Sequence, residues 1–290
     1  MKNYFKQVIK KLYRIYLKIK AYNKISKLLG KSNGSMNLLA GAIKEFLRNQ
    51  LTKEEKSWIQ KIESLRKNLN SSTDLISIVD FGAGTSELNL TNAEMLHGRV
   101  LNRVVGEVCR KASKPYFWSL LLFKLIRKFK PTICLELGTC LGISGSFQAA
   151  ALELNQEGKF ISLEGAESLA RIAQQNFSSL GLENVKVVIG KFQDTLDVVL
   201  NKYYPIDFAF IDGHHDENAT LFYFEKIYPF LSNKAVIVFD DIFWSAGMKR
   251  AWKKIMSDDR TKISIDMRNM GIGIFDSEVK EKQSFNISLI

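Results

Sequence analysis

The sequence predicts an α/β protein built on an open, mostly parallel sheet. Three observations predict it. Residues 133–145, ICLELGTCLGISG, form an apolar run that meets an acid, Glu136, and then passes Gly138, Gly142 and Gly145 among small residues. That pattern reads as a buried strand, a tight turn and the start of a helix. Further apolar runs also end in acids: 159–163 before Glu164, 206–211 before Asp212, and 235–239 before Asp240 and Asp241. Near the carboxyl end, 262–267, a turn around Asn269 and Gly271, and 272–275 carry a hairpin signal.

In a sheet of this kind the ligand sits outside the carboxyl ends of the strands, so these acids and glycines would gather at one edge. Glycine in the turn lets backbone approach a ligand without a Cβ in the way. The helix that follows offers free N–H groups. The spacing is E-x-G-x-x-x-G, from Glu136, Gly138 and Gly142, which is not the G-x-G-x-x-G of dinucleotide enzymes. Glu164, closing the second run, is placed to accept hydrogen bonds from both hydroxyls of a ribose. A third run, 185–189, leads to Gly190 and Asp194.

The segments LELGTCLGIS (135–144), SLEGAE (162–167), GKFQDTL (190–196), FIDGHH (210–215) and VFDD (238–241) occur in that order. On them the chain resembles the class I S-adenosylmethionine-dependent methyltransferases, and within these the metal-dependent O-methyltransferases of the catechol and caffeoyl-CoA type. The resemblance spans residues 115–277. It implies a Rossmann-like, mostly parallel sheet of seven strands with an antiparallel last strand, plus an amino-terminal helical extension. It also implies S-adenosyl-L-methionine as cofactor, with Mg²⁺ or another divalent cation as a second. By this resemblance Glu136, Gly138, Thr139, Gly142 and Ser144 belong to the cofactor loop, with Glu136, Gly138 and Ser144 against the methionine part. Glu164 would hold the ribose, and Phe192 and Gln193 would stand at the adenine. Asp212 is counted with both the cofactor-binding and the catalytic residues. Asp212, Asp240 and Asp241 fall at the three metal positions, although catechol-type members carry Asp-Asn where this chain has Asp-Asp. His215 stands where those members place a lysine general base.

The residue chemistry is compatible with these roles. Three carboxylates with open positions suit a hard, oxygen-loving ion. A histidine can take a proton near neutral pH. Methyl transfer to an acceptor oxygen is an in-line displacement, largely a matter of positioning, which a metal would assist by lowering the acceptor's pKa. A blander reading has Asp240 and Asp241 capping the next helix. Two other functions compete. A nicotinamide-dependent oxidoreductase lacks its G-x-G-x-x-G here. A non-catalytic, membrane-associated binding protein would not need the series Glu136, Glu164, Asp212 and Asp240. The acceptor, whether small molecule, glycan or lipid-linked, has no readable code in the sequence.

At 290 residues the chain suits one α/β domain plus an extension. We divide it into an arm (1–32), a helical or lid extension (33–114) and an S-adenosylmethionine-binding methyltransferase domain (115–290). Cys109, Cys134 and Cys140 show no C-x-x-C spacing, which fits a reducing, cytoplasmic setting. Of the net charge of +12, residues 1–50 supply +11, from twelve Lys/Arg and Glu45. Phe5, Val8, Ile9, Leu12, Ile15, Tyr16, Ile19, Tyr22, Ile25 and Leu29 make an apolar stripe at helical spacing among those cations. A basic amphipathic helix of this kind, residues 1–31, suits an anionic membrane surface and a peripheral location. The alternative is a helix packed on its own domain or on a second copy in a homodimer. Nucleic acid is disfavoured, because the cations surround no reading motif. Residues 31–35 read as a linker, and Tyr116 to Phe129 as a helix ended by Pro131. Asp80-Phe81-Gly82-Ala83-Gly84-Thr85 looks like a second glycine loop, but no strand ending in an acid follows it; we read it as a turn in a lid near the substrate. Met248, Trp252 and Ile255 share a helical face and are expected in the core, whereas Trp244 is a candidate pocket wall.

Overall fold

The chain's hydrophobic pattern resolves into one long sheet and a helical layer that precedes it in sequence. The computed structural model describes residues 16–26, 34–81 and 98–289. Most of the expected arm stripe, part of the linker, and Gly82 to Thr85 lie outside the described residues.

Residues 16–26 form helix α1, followed by α2 (Ser35–Leu47) and α3 (Lys53–Ser71). Strands β1 (Leu75–Asp80) and β2 (Arg99–Val104) pair as a separate antiparallel ribbon. Helices α4 (Val105–Ala112) and α5 (Tyr116–Phe129) lead into β3 (Ile133–Leu137). The alternation then runs α6 (Ile143–Asn155), β4 (Lys159–Glu164), α7 (Glu167–Leu180), β5 (Val185–Ile189), α8 (Phe192–Tyr203), β6 (Ile206–Ile211), α9 (Glu217–Ile227) and β7 (Leu231–Asp240). It closes with α10 (Ala246–Ser257), β8 (Ile263–Asp266), β9 (Met270–Asp276) and β10 (Gln283–Asn286).

The main sheet has the order β10-β8-β9-β7-β6-β3-β4-β5. Strands β7, β6, β3, β4 and β5 are mutually parallel, and β9 runs antiparallel between β7 and β8. The sheet is therefore α/β and mostly parallel, as expected, with two differences. Among the described residues it has eight strands, because Gln283–Asn286 adds an edge strand parallel to β8. The antiparallel strand is not the last in sequence. From β3 the chain first builds β4 and β5 on one side, then returns to build β6 and β7 on the other. That reversal leaves a cleft between the carboxyl ends of β3 and β6, the usual ligand position in open α/β sheets.

Two hydrophobic layers sandwich the sheet. One joins Cys134, Phe160, Phe208 and Val236 to α2, α5 and α6; the other joins Leu135, Ile161, Ala209 and Ile237 to α8, α9 and α10. Alternate strand residues enter opposite layers, as the period of a strand requires. Trp252 and Ile255 are core residues, and the Trp252 indole donates to Asp266 at 3.2 Å.

Residues 33–114 are not purely helical, since they contain the β1–β2 ribbon. Helices α2 and α3 are tied to α5 by a buried ionic group. Lys124, 1% exposed, donates to Glu55 at 2.6 Å and to Glu45 at 3.1 Å, and Arg127 also reaches Glu55. Glu55 in turn completes a capping box with Thr52 at the start of α3. The ribbon and α4 dock through a smaller core of Ile78, Val105, Val108 and Cys109 on Leu141, Ala166 and Leu169. That core sets the ribbon over the turn after β3.

Helix α1 packs on the domain. It buries Leu17, Ala21 and Ile25, one face at i, i+4 and i+8, and Lys24 donates to the carbonyl of Asn286. The buried face is rotated from the expected stripe, leaving Tyr16 and Ile19 more than half exposed.

Candidate active site

The carboxyl ends of β3, β4, β6 and β7 meet the β1–β2 ribbon around a cavity of about 630 Å³. Gly138, Cys140, Glu164, Gly165, Phe192, Asp212, His214, His215, Asp240, Asp241 and Trp244 line it from the sheet side. Ile78, Asp80, Phe81, Arg99, Leu101 and Arg103 line it from the ribbon, and Lys114 from the approach to α5. Gly138 takes φ 106° and lies against β6, where a Cβ would collide with the carbonyl oxygen of Asp212. This contact brings the two halves of the sheet together at the cleft.

Beneath the turn lies a closed polar cluster. Glu136 is fully buried and accepts from Ser144 at 2.8 Å, Gln148 at 2.7 Å and Ser162 at 2.7 Å. Thr139 bonds Ser162 at 2.6 Å. Burial pushes the Glu136 carboxyl up to about 7, although three donors oppose it. Glu136 and Ser144, expected against the methionine part, have their polar groups facing each other, and neither lines the cavity. Thr139 likewise faces inward, and Gly142 caps α6 under Phe177 and Ala173. These four residues shape the turn rather than its surface.

Glu164, in contrast, is the last residue of β4 and opens onto the cavity. One of its oxygens accepts from Cys140 N at 2.8 Å and the other from Ala166 N at 2.9 Å. A carboxylate has about four acceptor positions, so both oxygens can take a further hydrogen bond. Burial raises its pKa, against those backbone donors. Phe81 lies beside it, its ring filling the space where a side chain at Gly165 would stand, with Lys191 Nζ 5.2 Å from the ring centroid. Phe192 forms a second aromatic wall, edge-on to His214 at 5.5 Å and Tyr223 at 5.7 Å. Gln193, expected beside it, is exposed and outside the lining.

At the other end, Lys114 joins the acids. Its Nζ is 3.2 Å from the Asp212 carboxylate and also hydrogen-bonded to Asp240. The Lys114 side chain is 10% exposed and that of Asp240 2%. Burial alone would lower the Lys114 pKa, but the charges of Asp212 and Asp240 outweigh it and the pKa rises. Burial would raise Asp240, but Lys114 overcomes it and holds Asp240 down. Asp212 goes up, from burial and then from the charge of Asp240. The pair thus divides into an ionised Asp240 and a more readily protonated Asp212, as adjacent carboxylates do.

His215 Nε2 lies 3.7 Å from Asp212, and its ring centroid is 6.3 Å from that of Trp244, which walls the cavity as expected. The neighbouring His214 is fixed by Tyr223, 2.8 Å from its Nδ1, and burial lowers its pKa. His214, His215, Asp241 and Cys140 all have left-handed φ values, between 44° and 62°. Such backbone costs on the order of 1 kcal/mol or more per residue and concentrates at functional sites. The cysteine thiols at 134 and 140 are raised by burial, so neither is an activated nucleophile.

Of the expected metal set, Asp212 and Asp240 come together but Asp241 does not join them. The side chains whose ligand atoms lie within 4.8 Å of one another are Asp212, His215 and Asp240. The Lys114 ammonium contacts both carboxylates of that group, in the space an ion shared by them would need. The residues present do not fit a divalent cation while Lys114 is there. Asp240 and Asp241 do not cap the next helix either, because Ser245 does so through Met248 N at 3.1 Å.

Residues 135–242 match the family described as a methyltransferase domain. The matched segment includes β4, β5, β6 and β7, nearly all of β3, and the whole sheet-side lining of the cavity up to Asp241. This part of the chain is similar to methyltransferase domains. No curated protein matches it. Solved structures share the fold. An O-methyltransferase from Bacillus cereus in complex with SAH is 24% identical, with a TM-score of 0.50, over 58% of this chain and 84% of that one. An SAH-bound methyltransferase from Podospora anserina is 16% identical, TM-score 0.51, over 57% and 80%. A candidate caffeoyl-CoA O-methyltransferase from Staphylococcus aureus is 17% identical, TM-score 0.51, over 58% and 88%.

Side chains from outside the matched segment also line the cavity, Phe81 and Lys114 among them. Phe81 carried a signal in the sequence, the look-alike glycine loop it precedes. Lys114 carried none beyond the proline that follows it.

Proposed function

We propose that the protein is an S-adenosylmethionine-dependent methyltransferase that acts on an oxygen of a small-molecule, sugar or lipid-linked acceptor. One observation carries this reading: the turn at Gly138, the acid Glu164, and Asp212 with His215 converge on a single cavity at the switch point of a methyltransferase domain. The B. cereus and S. aureus fold neighbours, described as O-methyltransferases, support oxygen as the acceptor atom.

The cavity residues fit the cofactor. Glu164 has acceptor capacity for two ribose hydroxyls, and Phe81 and Phe192 offer aromatic faces to a base. Gly138, packed against the Asp212 carbonyl, lines the part of the cavity proposed for the methionine end. When bound, S-adenosylmethionine supplies an electrophilic methyl group whose bond to sulfur breaks, with its electrons, as the bond to oxygen forms. The chain's own part is to position the acceptor, exclude water and take the hydroxyl proton. His215 is the base in this reading, its Nε2 3.7 Å from Asp212 and its ring beside Trp244. We assign no divalent metal to the reaction.

Incubation with S-adenosylmethionine and a panel of hydroxylated acceptors, read by mass spectrometry, tests the proposal. We expect an acceptor to gain one methyl group as SAH forms. Methylation confined to nitrogen or sulfur acceptors would sink the oxygen assignment.

The arm, residues 1–31, is proposed to touch an anionic membrane surface. The exposed Tyr16 and Ile19, beside Lys18 and Lys20, support this, while the burial of Leu17, Ala21 and Ile25 narrows the free face. No helix among the described residues is long and apolar enough to cross a membrane. Co-sedimentation with phosphatidylserine vesicles tests the contact.

A further inference from the structure

We infer that the Lys114 ammonium takes the place of a divalent cation at Asp212 and Asp240, so that this site handles the acceptor oxygen with a cation belonging to the chain. The inference rests on the methyltransferase reading of the cavity.

The first argument is exclusion. Mg²⁺ binds carboxylate oxygens at about 2.0–2.1 Å and keeps several waters. An ion shared by Asp212 and Asp240 would have to stand where the Lys114 N–H groups already point. Lysine and metal are therefore alternatives, and the lysine comes with the fold.

The second argument is that Lys114 is held in place from its backbone outward. Its carbonyl accepts from Arg66 Nη1 on α3 at 2.9 Å and from Ser119 Oγ on α5 at 3.2 Å. Pro115 follows, which disfavours a helical backbone at residue 114 and starts α5 immediately after. Two elements outside the matched domain thus fix the residue that enters it. A solvated lysine on a flexible stem would show none of this.

The third argument is the composition of the group. Asp241, which the family pattern would enlist as a ligand, stands outside the cluster of ligand atoms, and His215 takes the third place. The acid pair that remains is matched by a single ammonium.

The chemistry follows from the donor count. An ammonium has three N–H donors. Asp212 and Asp240 use two, and the third is available to an acceptor oxygen in the cavity that Lys114 lines. In the transfer, the acceptor O–H proton passes to His215 Nε2, the oxygen forms its bond to the methyl carbon, and the departing electron pair stays on sulfur. Lys114 stays protonated throughout and stabilises the charge that grows on the oxygen.

Titration with Mn²⁺, followed by the loss of its free-ion electron paramagnetic resonance signal, tests this on the full chain. We expect wild type to show no saturable Mn²⁺ site, and Lys114→Ala to gain one at least about a hundredfold tighter, since a charge a few ångströms away is removed. Adding Asp240→Asn to that variant should abolish the site. Wild-type Mn²⁺ binding that Asp240→Asn alone removes would overturn the inference. If Lys114→Ala does not fold, the wild-type and Asp240→Asn titrations still decide. A parallel SAH titration separates the two layers: SAH binding alongside wild-type Mn²⁺ binding leaves the methyltransferase reading standing, whereas loss of SAH binding is a failure of that reading.

Discussion

Lys114 and Asp212 are 98 residues apart in the chain and 3.2 Å apart in the fold. The contact ties the amino-terminal layer to the sheet edge, and it makes a stability prediction. Lys114→Met would leave Asp212 and Asp240 buried together without a counter-charge. Breaking a buried pair from one side costs about 3–5 kcal/mol. Urea unfolding at pH 8 should show a loss of that size. At pH 5 the loss should shrink, because protonating one acid relieves the repulsion. An equal loss at both pH values would contradict the pairing.

Cofactor affinity should depend on Glu164 and Phe81. Glu164→Gln replaces one acceptor oxygen by a donor, against backbone N–H groups that already point at the carboxylate. We expect SAH to bind roughly 10–100-fold more weakly by calorimetry. Phe81→Ala removes one aromatic face, for a loss of about tenfold. Unchanged affinity in both variants would place the nucleoside elsewhere.

The two adjacent histidines should separate by function. His215→Ala should lower kcat by about 10²–10⁴-fold, the usual range for a general base, with SAH affinity unchanged. His214→Ala strands the Tyr223 hydroxyl in a buried setting, so it should cost about 1–3 kcal/mol of stability. The opposite pattern, a kcat effect at His214 alone, would reassign the base.

Glu136 gives a pH signature. Its carboxyl titrates at about 7 in the fold, against 4.5 as its ordinary value. The folded state therefore holds this proton more tightly than the unfolded chain. The resulting stability is fully present below 4.5 and is lost as pH rises towards 7. The contribution is on the order of 3 kcal/mol. Glu136→Gln should flatten the stability profile across that window relative to wild type. Parallel profiles for the two proteins would show that Glu136 is ionised in the fold.

Glu136 and Glu164 also show how far the sequence could be read. Both acids close apolar runs, and both were expected at the ligand. Glu136, however, is followed by one more strand residue, Leu137, so its side chain is directed into the layer of α6, where Ser144 and Gln148 sit. Glu164 ends its strand and reaches the cavity. A run of apolar residues locates a strand but does not give the last residue of its register, and the two roles turn on that residue. The order of the acids, Glu164, Asp212 and Asp240, was legible because each follows a buried parallel strand. Lys114 was not, because an isolated lysine reads as solvated and its partners are supplied by chain folding. For the same reason α1 buries Leu17 and Ala21 in place of the neighbouring Tyr16 and Ile19. The face that docks is set by the surface it meets. Strand β10 escaped notice because Gln283–Asn286 is short and polar, as an edge strand can be.

The most direct test of the central claim is isothermal titration of the full chain with SAH, S-adenosylmethionine and NAD. We predict saturable one-to-one binding of the first two, weakened by Glu164→Gln, and none of NAD. Binding of NAD alone, or of none of the three, would contradict the assignment of this cavity to methyl transfer.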